Sequence, residues 1–411
     1  MGDNQLTLHI PDGINYECTG CGKCCGGWAV PMTPVDYERI SATNWGEKLD
    51  KFAGQALFRA LKPYEAAGTP YDHAIREGGD GHCPFLVDNL CFIHSQFGSE
   101  AKPSICQLFP YCFNETPSGI YATVSFVSMG VVHNSGKALT EQRQYLSDKL
   151  AEFRKLYPDH HPNWGKLELM GGQALTWDEY LAIEKQLLEY LQARSAAFEQ
   201  RLLKGSAYLH SLASRKNGSD TSGSGESAAT TMVTKLRPLD KHLLVALHKI
   251  YFPVRILGRG EGDFSPWRFA YQLTFQGIIP GLHISLPGHS YTFEQLAQVP
   301  WPAQDKDIED LLYRYFYSRI FAKLYFAAGF GQLSLIAGYH HLILLYALLK
   351  LQARALALSR GASVVSYVDV VAAVRQLEKR LGETAVGAYA AAIYELLMFS
   401  HLRALRILAA V

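Results

Sequence analysis

No cysteine follows Cys112 in this chain of 411 residues, although that residue is the eighth. Charge of one sign is missing as well, since 39 Lys+Arg against 38 Asp+Glu leave a formal net charge of +1. Such a chain has no global field to draw in a polyanion, so nucleic acid is not an expected partner. The opening residues, MGDNQLTLHIPDG, hold neither a basic stretch nor the apolar core of a secretory signal, and Leu6 stands where a myristoylation signal carries Ser or Thr. The expectation is a cytoplasmic protein. No strand, Gly-rich turn and acidic residue recur in βαβ order, which excludes a familiar dinucleotide or phosphate loop; Gly329-Phe330-Gly331 lies between helical segments and reads as close helix packing. No Ser, His and acid trio stands out by spacing, and no repeat of fixed period is found. At 48% hydrophobic and 19% charged residues the composition is that of a folded globular chain, which excludes disorder as the main theme.

What is present divides along the chain. Residues 1–135 are short pieces broken by Gly and Pro, the kind of segment a metal can fold, and form the expected cysteine-cluster domain. Short helices are predicted from Thr33-Pro34 through Tyr37 and Ile40 and around Phe52 to Leu61, and a strand over Ile120 to Val127. A helical segment, 136–212, follows. Leu139, Leu146, Leu150, Phe153 and Leu156 share one helical face, and a Thr176/Glu179 capping box opens a long helix through Leu181, Leu187, Leu191, Phe198 and Leu202, with Gly205 where a terminator is expected. Residues 213–234 are rich in Ser, Thr and Gly and read as a flexible linker. The last domain, 235–411, is expected to be mainly helical, with a short strand at Leu282, Ile284 and Leu286 and helices over Asp305–Ala328, Gln332–Ser359, Ser366–Leu381 and Thr384–Ala409, Ser366 as an N-cap and Gly382 as a stop. The fold class is therefore mainly α, with a small irregular cysteine-rich domain of little β.

Leu324 to Leu349 contains no Asp, Glu, Lys or Arg and is long enough to span a bilayer. Gln332, His340 and His341 within it favour a helix buried in protein, so no stable membrane span is expected. The aromatic run from Leu311 to Tyr317 falls at helical spacing and reads as core. Adjacent histidines at His160-His161 and His340-His341 cannot both face one site on a regular element and are read as surface or packing residues.

The chemistry lies in the thiols. Cys18-Thr-Gly-Cys21-Gly-Lys-Cys24-Cys25 puts three sulfurs at two-residue separations, which lets a tight turn aim them at one centre. Glycines at 20, 22, 26 and 27 fit backbone wrapped at positive φ around such a centre. Cys83, Cys91, Cys106 and Cys112 are scattered and useful only if the fold closes. Adjacent Cys24 and Cys25 should point in different directions, so two sites, or one site and a packed thiol, are expected. Structural zinc is usually held by two paired knuckles, whereas here only the first half is paired. The three-thiol run with a remote cysteine near Pro has more in common with a 4Fe–4S cubane, so an iron–sulfur cluster is favoured over zinc. All eight cysteines, Cys18, Cys21, Cys24, Cys25, Cys83, Cys91, Cys106 and Cys112, are candidate ligands. His94 and His82 are read as packed or supporting residues.

These residues resemble the YkgJ-type CxxCxxCC family, a zinc- or iron-chelating domain that includes flagellin lysine-N-methylase (FliB-like) proteins. The resemblance rests on Cys18 to Cys25 with Gly27-Trp28, on Cys83-Pro84-Phe85-Leu86, on Cys91-Phe92-Ile93-His94, and on Cys106 leading to Phe109-Pro110. It implies that Cys18, Cys21, Cys24, Cys25, Cys83, Cys91 and Cys106 are ligands, and its methylase branch implies S-adenosylmethionine and methyl transfer to a protein lysine. Where that family commonly carries a further cysteine, this sequence reads Phe126-Val127-Ser128-Met129. The sequence is thus compatible with three functions: a cluster-dependent modifier of a protein substrate, a zinc-stabilised binding module, and a redox or electron-transfer protein.

Overall fold

The computed structural model describes residues 7–26, 28–79, 81–216, 235–253, 282–302, 305–383 and 394–410. The chain divides into two compact units, Met1–His161 and Pro162–Val411. That division falls beyond the expected boundary at 135, because the helix Arg143–Leu156 clusters with the cysteine-bearing unit.

The first unit is built on short elements. Thr33 caps the helix Pro34–Ser41, its hydroxyl accepting from the Asp36 amide at 3.1 Å, with Pro34 opening the first turn. Strands Val30–Met32, Phe58–Ala60 and His73–Ile75 form an antiparallel sheet with the third in the centre. A second sheet pairs the hairpin Tyr111–Thr116/Gly119–Val124 with Leu8–His9, which runs parallel to it. The helix expected from Phe52 to Leu61 is absent there. A 3-10 turn at Asp50–Phe52 leads instead into the strand Phe58–Ala60, whose three residues are too few to show a period of two. Below these elements Val30, Met32, Ile40, Trp45, Phe52, Phe85 and Ile93 pack into one core, with Cys83, Cys91 and Cys106 against it.

The second unit is mainly helical. The capping box at Thr176 and Glu179 opens the helix Trp177–Gln192, but the predicted single helix is two, since a break precedes Phe198–Lys216. Gly205 is no terminator. It lies inside the second helix, where an added Cβ would overlap the Tyr339 hydroxyl, so glycine serves close packing. That helix continues to Lys216, so the first residues of the expected linker are helical, while 217–234 lie outside the described residues. Helices Lys306–Phe321, Leu335–Ser359 and Tyr367–Glu383 occupy three of the predicted spans, the last of them running through Gly382. The fourth lies partly outside the described residues, with a helix at His401–Ala410. A hairpin His283–Leu286/His289–Thr292 holds the predicted strand. Leu335–Ser359 is apolar and long enough to cross a membrane, yet 83% of an apolar 18-residue window within it is buried inside the protein. Leu311, Leu312, Tyr315 and Phe316 are likewise core.

Candidate metal centre

The first thiols sit on a loop shaped by glycine. Gly20 and Gly22 adopt φ of +61° and +68°, the left-handed region an L side chain resists. The Cys25 amide closes a turn onto the Gly22 carbonyl at 3.0 Å. Trp28 Nε1 donates to the Cys24 carbonyl at 3.4 Å.

Three tertiary devices bring the scattered thiols to this loop. The Cys83 amide donates to the Cys25 carbonyl at 2.7 Å, beside a bridge between Gly26 and His82, so the second segment is laid directly on the first. A tight hairpin, Leu86–Val87/Leu90–Cys91, then turns at Asp88 and Asn89 (φ 50° and 63°), returning Cys91 towards Cys83. The third device is the buried carboxylate of Asp36. Its oxygens accept from the Ser104 amide and hydroxyl, both at 3.0 Å, and from Arg39 at 2.9 Å, which pins the helix Ser104–Leu108 carrying Cys106. Sequence reasoning passed over Asp36, although its place three residues after Thr33 is a capping signal.

Seven thiols, those of Cys18, Cys21, Cys24, Cys25, Cys83, Cys91 and Cys106, line one cavity of about 220 Å³. Tyr16, Trp28, Phe85, His94, Lys102 and Ser128 line it too. Ser128, from the stretch Phe126–Met129 that carries no cysteine here, is thus among the lining residues. Cys112 lies outside the cavity, exposed on the strand Tyr111–Thr116, with its Sγ 3.7 Å from the Pro110 carbonyl oxygen.

Residues 17–126 match the CxxCxxCC family model. Its description is "Putative zinc- or iron-chelating domain". An uncharacterized protein of Methanocaldococcus jannaschii is 32% identical over 101 residues, a stretch covering 24% of this chain and 30% of that relative. The chain therefore spans less than a third of that relative's length. No solved structure matches. The family match supports metal binding by this region.

Burial makes three of the thiols resist ionisation. Burial, then the charges of Cys91, Cys24 and Cys18, push the Cys25 thiol up to about 11. Burial pushes Cys83 up to about 12, with Cys25 and Cys91 adding to it, and raises Cys106 well above the ordinary value, with Cys83 and Cys91 adding again. Burial also opposes ionisation of Cys21, but hydrogen bonds from Thr19 and the Lys23 amide, with the Lys23 charge, hold that thiol low. A set of thiols that repel one another as thiolates is stable in that form only around positive charge. The donor set fits a soft metal centre.

Proposed function

We propose that the first unit holds an iron–sulfur cluster on cysteine thiolates. The observation that carries this reading is one cavity, of about 220 Å³, walled by seven thiols. A single tetrahedral zinc takes four ligands, with sulfur at about 2.3 Å, fewer than the seven thiols that line this cavity. The cavity instead offers roughly fifteen times the ~15 Å³ that admits one water. Cys25, Cys83, Cys91 and Cys106, with Cys18, Cys21 and Cys24, are the residues that would hold it. A cluster supplies redox-active, Lewis-acidic iron. This chain's own residues wrap that centre, shield one side with Trp28 and Phe85, and present Lys102 as a nearby positive charge.

Cys18, one of the cavity's lining residues, is exposed, so a second molecule can approach that side of the site. That access supports a modifier of a protein substrate, of the lysine N-methylase kind that the motif resembles, over a purely structural role. The whole chain purified without oxygen should be brown and contain iron and acid-labile sulfide. Colourless protein with stoichiometric zinc overturns the cluster. With cluster-loaded protein and methyl-labelled S-adenosylmethionine, label should reach protein lysine; iron-replete protein that labels nothing overturns the modifier reading alone.

A further inference from the structure

The second unit contains no cysteine, yet it gathers three histidines from three helices. His210 lies on Phe198–Lys216, His340 on Leu335–Ser359 and His401 at the start of His401–Ala410, and one ring nitrogen from each lies within 4.8 Å of the other two. We propose that His210, His340 and His401 bind one divalent transition-metal ion of the imidazole-preferring class, zinc foremost.

The proton inventory supports a ligand set. His340 Nδ1 is 2.5 Å from the Met398 carbonyl oxygen, which can only accept, so the proton sits on Nδ1 and the Nε2 lone pair points to the cluster. A ligating histidine is characteristically fixed in this way, its other nitrogen donating to a backbone carbonyl. Ser206, one turn before His210, places its Oγ 2.7 Å from both His340 Nε2 and His401 Nδ1. That hydroxyl can donate to one ring and accept from the other, so the unsatisfied member of the trio is His210. His210 Nε2 is buried without a hydrogen-bond partner, a costly state for a polar atom unless something else occupies it.

Burial, with His401 beside it, holds His210 down to about 4, and burial holds His340 down to about 3, so both rings are neutral at neutral pH. A neutral imidazole coordinates a metal; an imidazolium cannot. Three imidazoles without a carboxylate suit zinc and its neighbours, while magnesium and calcium demand oxygen. Three protein ligands also leave a fourth position for water or a substrate atom. His210 and His401 are only half-buried, which gives an ion a way in.

Cobalt(II) reports on this site separately from the thiols, because thiolate ligation adds a sulfur-to-cobalt charge-transfer band that imidazole ligation lacks. Titrated into the full chain, cobalt should fill one site showing ligand-field bands alone, displaceable by zinc. His401→Ala, at a helix start, and His210→Ala should each weaken that site by more than the 10- to 100-fold typical of losing a supporting partner, with circular dichroism unchanged and the thiolate-linked band retained. If wild type and both variants bind the same number of cobalt ions with the same spectra, the trio is only a hydrogen-bonded network around Ser206 and the proposal fails. Should one variant misfold, the other decides.

Discussion

Replacing Gly22 by alanine sets a methyl group in the loop between Cys21 and Cys24, and Gly68 provides the matched control. Both glycines have left-handed backbone, φ +68° and +71°. An L residue there costs about 1–2 kcal/mol, so each substitution carries that strain. The surroundings differ. A Cβ at Gly68 meets nothing within 4 Å, whereas at Gly22 it lies 3.2 Å from the Asn89 Cα and from both δ carbons of Leu86. Leu86 could rotate away, but the Asn89 backbone belongs to the hairpin that returns Cys91. Overpacking of this kind adds about 1–3 kcal/mol. Gly68→Ala should thus lose about 1–2 kcal/mol and Gly22→Ala about 2–5, a gap of several degrees in melting temperature at about 2–4 °C per kcal/mol for a unit of this size. The decisive assay is metal per chain, measured beside thermal melts. Relief of the contact must move either the first thiol loop or the hairpin, so Gly22→Ala should lose metal while Gly68→Ala keeps it. Equal metal content and equal melting in the two variants would refute the account of how the loop is seated.

Cys106→Ser should lower the metal content of the whole chain and Cys112→Ser should not, since only the first thiol faces the cavity; elemental analysis of the two variants decides. Buried Asp240 accepts from Arg406 at 2.7 and 3.2 Å and from Arg403 at 3.1 Å, so Asp240→Asn leaves two guanidinium groups without a counter-charge and should cost about 3–5 kcal/mol in urea unfolding. Burial works against ionisation of Asp240, but these arginines and the Arg237 amide hold its carboxyl below the ordinary value; its contribution is therefore full above about pH 3.9 and lost as pH falls through the lower folded value, a slope that Asp240→Asn should flatten. Gly205→Ala drives a methyl into the Tyr339 hydroxyl and should destabilise the second unit by about 1–3 kcal/mol in calorimetry without changing metal bound by the first.

Local chemistry was legible in the sequence. The Thr33 and Thr176 caps, the left-handed Gly20 and Gly22, and the buried character of Leu335–Ser359 all follow from a residue and its near neighbours. Closure was not. Nothing local says that the Cys83 amide meets the Cys25 carbonyl, or that Asp36 caps one helix and anchors another. Gly205 misled because a helix-ending glycine and a helix-packing glycine look alike until Tyr339 is in place. The three histidines were hidden for the same reason: they are far apart in sequence, and His340 was paired by adjacency with His341, which faces Tyr251 instead.

The thiol pair Cys24-Cys25 shows where sequence spacing and tertiary proximity part. Spacing groups Cys18, Cys21 and Cys24 and leaves Cys25 as a surplus neighbour. In the folded unit Cys25 feels Cys91, Cys24 and Cys18 alike, while Cys83 and Cys106 feel Cys25 and Cys91, and Tyr16 feels Cys18 and Cys24. Cys24 also directs its Sγ to the Val127 carbonyl oxygen, 3.9 Å away, next to Ser128. Adjacent residues diverge, as an extended or turning backbone requires, which leaves two arrangements to separate: Cys25 with Cys83, Cys91 and Cys106 as one set and Cys18, Cys21 and Cys24 as another, or all seven thiols around one centre. If the two sets bind metal separately, Cys25→Ala and Cys18→Ala should each remove part of the metal, and the double variant should remove the sum, as independent sites do. A double variant that loses no more than either single one places all seven thiols around one centre.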